Sequence, residues 1–177
     1  MLQRLKTFLK HRWLDESDTR RVIGGQTLER LANLVAASEK NHSGEIRIFV
    51  EASLPVTYLW RHLVHKVPVD ALARQRALMM FSKLGVWDTA DNNGVLVYLL
   101  LAERKIELVA DRGVNALVSR SEWEGMVRRM GVAFAAGRFE AGLAQAVDEV
   151  SAPLLRHFAV RPGADNGNEL PDTPILG

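Results

Sequence analysis

Residues 94–101 read Gly-Val-Leu-Val-Tyr-Leu-Leu-Leu, and residues 106–110 read Ile-Glu-Leu-Val-Ala. The first stretch is continuously apolar, which is typical of a strand covered on both faces. A short polar break at residues 102–105 separates it from the second stretch, and two strand patterns joined in this way indicate a hairpin. The two stretches therefore predict the central strand of a sheet and an antiparallel neighbour.

Upstream, residues 45–51 alternate apolar and charged side chains except at Phe49, which predicts a strand with one well-covered face. A helical pattern separates this strand from the central one, and such a unit forms a parallel pair through a right-handed crossover. The fold class is therefore α/β: a three-layer α/β/α sandwich whose small mixed sheet combines a parallel crossover pair with an antiparallel hairpin strand. Helices are predicted near residues 26–42, 70–84, 121–134 and 139–158. Pro153 is expected to kink the last helix or to end its first segment, and residues 53–68 are expected to form an irregular excursion that can include a helical turn.

The composition of the 177 residues narrows the function classes. Because the chain has no Cys, it cannot form a disulfide scaffold, a thiolate zinc site or a cysteine-based catalytic centre. Its net charge of +2 argues against a dedicated nucleic-acid binder, which normally concentrates a basic excess on one face. Common nucleotide-binding and hydrolase motifs are also missing from the sequence.

Charge is distributed unevenly along the chain and predicts three parts. Residues 1–25 carry six basic and three acidic side chains and form a basic amphipathic arm, residues 26–160 form the α/β domain, and residues 161–177 form an acidic tail. The tail is rich in Pro and Gly, so we expect it to be disordered. The basic start lacks the apolar core of a secretory signal, and the longest apolar run is too short to span a bilayer. We therefore expect a cytoplasmic protein, with any membrane contact at the inner face of the membrane.

The amphipathic arm has an apolar stripe at helical spacing: Leu2, Leu5, Leu9 and Trp13. The simpler interpretation is a helix that docks on the domain's own surface. The alternative is peripheral contact of residues 1–13 with a membrane surface or a partner protein.

An oxygen-rich loop, residues 88–94, leads into the central strand. If the hairpin turns near residues 103–104, Asp111 returns to this loop, and Glu45 begins the parallel strand at the same sheet edge. Oxygen ligands of this type suit hard cations such as Ca²⁺, whereas Asn, Asp and Gly are equally typical of ordinary turns and caps. Both interpretations stay open for the converging side chains, which are Glu45, Asp88, Asp91, Asn92, Asn93 and Asp111.

The block from Phe81 to Gly113 resembles the signature of the TPM domain, and residues 43–48 and 134–139 also fit. This family includes a thylakoid-lumen protein linked to photosystem II repair, which has been described as an acid phosphatase, and many bacterial proteins. The present chain resembles a compact proteobacterial branch. Some members bind Ca²⁺ through acidic residues near the asparagine-glycine loop. When the family's Ca²⁺-binding positions are transferred to this sequence, the resemblance implies a metal site at Asp88, Asp91, Asn92 and Asp111, with Glu45 as a neighbour.

The predicted function is an accessory module of unassigned biochemical activity that binds Ca²⁺ or a similar cation and acts in membrane-protein maintenance through protein partners. A metal-assisted acid phosphatase is the alternative, with Arg112 as its cationic group, because phosphate hydrolysis needs positive charge at the phosphoryl oxygens. A membrane-surface module recruited by the amphipathic arm is the second alternative.

Overall fold

The computed structural model describes residues 2–160 and 166–177 and shows a helix-flanked α/β sandwich. The described residues form a four-stranded sheet and eight helices. Its strands are β1 (Ile46–Glu51), β2 (Val95–Leu100), β3 (Lys105–Ala110) and β4 (Ile175–Leu176). Its helices are α1 (Leu2–Arg12), α2 (Glu16–Val22), α3 (Gly25–Glu39), α4 (Val56–Val64), α5 (Val69–Lys83), α6 (Arg112–Asn115), α7 (Arg120–Ala135) and α8 (Phe139–Phe158).

The sheet has the strand order β3-β2-β1-β4. Strands β1 and β2 are parallel, with Ile46 opposite Val95, and β2 and β3 are antiparallel, with Val95 opposite Ala110. Every residue of β2 is buried, as expected of a strand covered on both faces. The predicted crossover pair and hairpin are therefore confirmed.

Two hydrophobic clusters cover the two faces of the sheet. Alternate residues of β2 point to opposite faces, so Val97 joins the cluster formed with α3, α7 and α8, and Tyr98 joins the cluster formed with α4 and α5. This alternation divides the apolar run of the central strand between two cores. The predicted α/β/α layering is confirmed.

The C-terminal segment differs from its prediction. Residues 175–176 form β4 beside β1, with Phe49 opposite Ile175, so the predicted disorder of the tail is wrong for residues 166–177. Arg47 anchors this segment by donating to the carbonyl oxygens of Pro171 and Thr173, the latter at 3.0 Å. Residues 161–165, the other part of the predicted tail, lie outside the described residues.

Three local expectations also changed. The stretch 53–68, expected to be irregular, contains the regular helix α4. Pro153 does not end α8, which continues to Phe158. The expected amphipathic arm consists of two helices, α1 and α2, and α2 begins with a capping box at Asp15.

Candidate functional site

The oxygen-rich loop is held in a defined shape before β2. The main-chain N–H of Asn93 donates to Thr89 Oγ1 at 3.0 Å, and that of Asn92 donates to the Thr89 carbonyl at 3.1 Å. Asn92 has a φ of +52°, a left-handed conformation that Asn tolerates better than most residues. Local turn chemistry therefore shapes the loop.

Ser43 connects the loop to the start of β1. Its hydroxyl donates to Asp91 Oδ2 at 3.0 Å and accepts from Asn93 Nδ2 at 3.0 Å. Ser43 is not among the site residues predicted from the sequence. Its position just before β1 was the available signal, because the amino ends of parallel neighbours lie at the same sheet edge.

Asp111 returns to the loop, as the predicted hairpin requires. Its main-chain N–H donates to the Gly94 carbonyl at 2.9 Å, and its Oδ1 accepts from the N–H of Arg112 at 2.7 Å. Arg112 Nε in turn donates to Asn92 Oδ1 at 2.8 Å. The chain therefore brings Asp111, Asn92 and a guanidinium group together at one end of the hairpin.

Two backbone carbonyl oxygens converge on Gly113. A Cβ atom at this position would lie 2.6 Å from the carbonyl oxygen of Asn92 and 2.8 Å from that of Asp91. Such contacts are too short for any side chain, so the close approach of the loop to α6 requires glycine. The carbonyl oxygen of Asn92 also accepts from the main-chain N–H of Gly113 at 3.0 Å, which joins the loop to the start of α6.

Two side-chain oxygens of this region are buried without a hydrogen-bond donor in the described part of the chain. They are Asn93 Oδ1 and Asp111 Oδ2. Asn93 is fully buried, and an unpaired buried acceptor is costly, since it has lost its bonds to water. A bound cation would satisfy such oxygens.

Glu45 lies at the same sheet edge, but its carboxylate serves the C-terminal segment. It accepts from the main-chain N–H groups of Glu169 at 3.2 Å and Leu170 at 3.1 Å. Burial raises the pKa of Glu45, while these two bonds oppose the increase. Glu169 Oε2 also accepts from the N–H of Ala90 at 2.9 Å, so the segment reaches the oxygen-rich loop.

The remaining predicted ligand, Asp88, is exposed, and its main-chain N–H donates to the Gly85 carbonyl at 2.9 Å. Within residues 2–160 and 166–177, no group of three or more His, Asp or Glu side chains is arranged to hold a metal ion.

A family model of the TPM domain matches residues 17–152. The chain belongs to the TPM domain family. The same range contains the oxygen-rich loop, Ser43 and Asp111 of this TPM domain. Helix α1 and the C-terminal segment lie outside the matched range.

The TPM domain also has a structural relative. The NMR structure of the BA42 protein from the psychrophilic bacterium Bizionia argentinensis superimposes with a TM-score of 0.71 at 25% sequence identity, covering 86% of this chain and 93% of that one. The chain has no match among functionally curated proteins. Among the described residues, no helix of this TPM domain protein is long and apolar enough to cross a membrane.

Proposed function

We propose that this TPM domain protein is an accessory module that binds Ca²⁺ at the oxygen-rich loop and acts in membrane-protein maintenance through protein partners. The observation that carries the Ca²⁺ site is the pair of unpaired buried oxygens, Asn93 Oδ1 and Asp111 Oδ2. The role in membrane-protein maintenance rests on the family resemblance. Its test is the turnover of membrane-protein complexes in cells with and without the protein, and equal turnover would contradict it.

The donor set suits Ca²⁺ better than a softer cation. Ca²⁺ accepts carboxylate, amide and main-chain carbonyl oxygens in an adaptable geometry, whereas zinc prefers His and Cys. Asp111 offers the carboxylate, Asn93 the amide oxygen, and Asp91 and Asn92 the main-chain oxygens near Gly113. With so few charged ligands we expect weak affinity, in the range of about 10⁻⁴ to 10⁻³ M found for extracellular modules.

Calorimetry and amide chemical shifts test the site directly. Ca²⁺ is titrated into protein treated with EDTA, and shifts are expected at residues 88–94 and 111–113. Asp111→Asn retains an oxygen to cap α6 but removes the charge, so we expect at least about tenfold weaker binding. Asp148→Asn, an exposed position on α8, is the matched control and should bind like the wild type. The site is refuted if millimolar Ca²⁺ produces neither heat nor shifts.

Arg112 favours a second candidate, a metal-assisted phosphatase. Its Nε donates to Asn92 Oδ1, which keeps a positive charge beside the proposed cation site. A cation and a guanidinium group together could stabilise the charge of a phosphoryl group. Hydrolysis of p-nitrophenyl phosphate is the assay, with wild type, Asp91→Ala and Arg112→Gln. Metal-dependent activity that both variants lose would support the enzyme, and activity that both retain would indicate a contaminant.

A further inference from the structure

Helix α1 docks on the domain through polar and aromatic residues, not through its leucine stripe. Phe8 packs against the cluster formed with α4 and α5, and His11 is buried. His11 Nδ1 accepts from the N–H of Leu54 at 3.1 Å, so its Nε2 carries the proton and donates to Glu103 Oε1 at 3.0 Å. These contacts fix which side of α1 faces the protein.

The leucine stripe consequently faces outward. Leu2 is 73% exposed and Trp13 is 83% exposed, and Leu5 and Leu9 between them are also exposed. A stripe of large apolar side chains at helical spacing would normally be the docking face of such a helix. Its exposure leaves an apolar surface available to another partner.

Helix α4 packs against α1 and carries a second exposed stripe. Val56, Trp60 and Val64 repeat at intervals of four residues and are all exposed, whereas Leu59 and His62 on the other side are buried. We call the two stripes, Leu2, Leu5, Leu9, Trp13, Val56, Trp60 and Val64, the α1–α4 surface. Half of the fourteen exposed large hydrophobic residues of the described chain belong to it.

The two segments that carry this surface are also strongly basic. Residues 2–13 and 55–66 contain six Lys and Arg and no Asp or Glu, so their net charge is +6. The whole chain is +2, which leaves the rest at +2 − 6 = −4. The charge of Lys10, one of these six residues, is partly neutralised, since its Nζ lies 3.0 Å from Glu103 Oε1. Apolar stripes flanked by Lys and Arg are typical of helices that lie in the interface of an anionic membrane.

We propose that the α1–α4 surface binds an anionic lipid bilayer, with both helices in the plane of the interface. The tryptophans at positions 13 and 60 suit the headgroup boundary, where amphipathic aromatic rings are favoured. A second copy of the chain fits less well, because a twofold interface would place the same +6 segments against each other. This surface is independent of the proposed Ca²⁺ site and should work in EDTA.

Tryptophan emission and vesicle flotation test the proposal in EDTA. Vesicles of phosphatidylglycerol and phosphatidylcholine in equal amounts should bind the protein and shift its emission to shorter wavelength, and pure phosphatidylcholine should bind it far less. Trp13→Phe/Trp60→Phe should abolish the emission shift. Trp87→Phe is the matched control, because Trp87 is exposed outside the α1–α4 surface and should leave the shift intact.

Two further variant pairs separate apolar and electrostatic contributions. Leu5→Ser/Leu9→Ser should release the protein from the vesicles, whereas Leu117→Ser/Val132→Ser, which are exposed elsewhere, should not. Lys6→Gln/Arg12→Gln should weaken partitioning about fivefold per charge, and raising the salt concentration should weaken binding of the wild type. Lys83→Gln/Arg128→Gln is the charge-matched control.

Four outcomes would overturn the proposal. The first is equal flotation of the wild type with anionic and zwitterionic vesicles, and the second is no flotation with either. The third is partitioning of the stripe variants as strong as that of the wild type. The fourth is sedimentation of dimers that Leu5→Ser/Leu9→Ser dissociates, without any vesicle binding, which would make a second copy the occupant. Because all of the variants alter exposed side chains, circular dichroism should confirm that each one folds.

Discussion

Replacing Glu39 with Gln should make the protein more stable than the wild type at alkaline pH. Glu39 ends α3, is only 7% exposed, and accepts from the main-chain N–H of Ile46 at 2.8 Å. Burial, together with the nearby carboxylates of Glu45 and Asp172, raises its pKa from 4.5 to about 8, although the Ile46 bond opposes the increase. The protonated carboxyl can donate to Asp172, and a Gln amide can do the same while still accepting from Ile46.

The raised pKa of Glu39 determines how its contribution to the free energy of unfolding changes with pH. The folded protein holds the Glu39 proton more tightly than the unfolded chain, so this group's contribution is fully present below pH 4.5 and is lost as pH rises through about 8. The pKa difference corresponds to at most about 5 kcal/mol of unfolding free energy. Since Glu39 borders an open cavity of about 330 Å³, water screening reduces the expected loss to about 2–3 kcal/mol. Glu39→Gln should not suffer this loss.

Urea unfolding at pH 5 to 9 measures the effect. The difference in unfolding free energy between Glu39→Gln and wild type should grow by about 2–3 kcal/mol in favour of the variant over this range. Glu29→Gln, at an exposed position of the same helix, is the matched control and should run parallel to the wild type. Because the chain has no Cys, no thiol group titrates between pH 5 and 9 and adds to the measured difference. Parallel curves for Glu39→Gln and wild type would refute the reasoning.

Three other substitutions or deletions test the fold. Arg76→Met leaves Glu51 buried without its bidentate partner and should lower the unfolding free energy by about 3–5 kcal/mol in urea unfolding. Gly94→Ala places a Cβ atom against the main-chain carbonyl oxygen of Val86, far inside van der Waals contact, so thermal unfolding should show a lower Tm or no cooperative transition. Deleting residues 170–177 removes β4 and the carbonyl oxygen of Gly177. Amide exchange should then become faster at Ala52, which directly follows β1 and whose main-chain N–H donates to that carbonyl. An unchanged exchange rate would contradict that docking.

The core of the fold was predictable because it depends on local pattern. The apolar run of β2 and the following strand pattern predicted the hairpin, and Asp111 was expected to return near Gly94. The register differed by two residues: a turn near residues 103–104 would place Asp111 opposite Leu96, whereas Asp111 donates to Gly94. A short 3-10 turn at Leu101–Glu103, followed by Arg104 in the left-handed conformation, accounts for the difference.

The C-terminal segment was not predictable from composition. Pro, Gly and acidic residues indicate disorder when they have no partner, but here the partners lie far away in sequence. Glu45, just before β1, and Arg47, on β1, bond to main-chain groups of residues 169–173, and Phe49 pairs with Ile175. Charged residues at the start of a buried strand, here Glu45 and Arg47, need hydrogen-bond partners, and this need was the available signal. Only the tertiary structure shows that the C-terminal segment supplies those partners.

Helix α1 shows what a periodic pattern leaves open. Helical spacing identified the leucine stripe, and the simpler interpretation was a helix that docks on the domain's own surface. The helix does dock there, and it does so through Phe8 and His11. A period of 3.6 residues shows which side chains share a face, but it does not show what that face meets.

The C-terminal segment contacts both the buried carboxyl group of Glu39 and the oxygen-rich loop. The N–H of Glu169 donates to Glu45, and its carboxylate accepts from Ala90 in the oxygen-rich loop. Three residues later, Asp172 lies beside Glu39. Ionisation of Glu39 places a second charge against Asp172 and weakens the docking of this segment. Because the same segment contacts the loop through Glu169, we expect protonation of Glu39 to change the pH dependence of ligand binding at the loop.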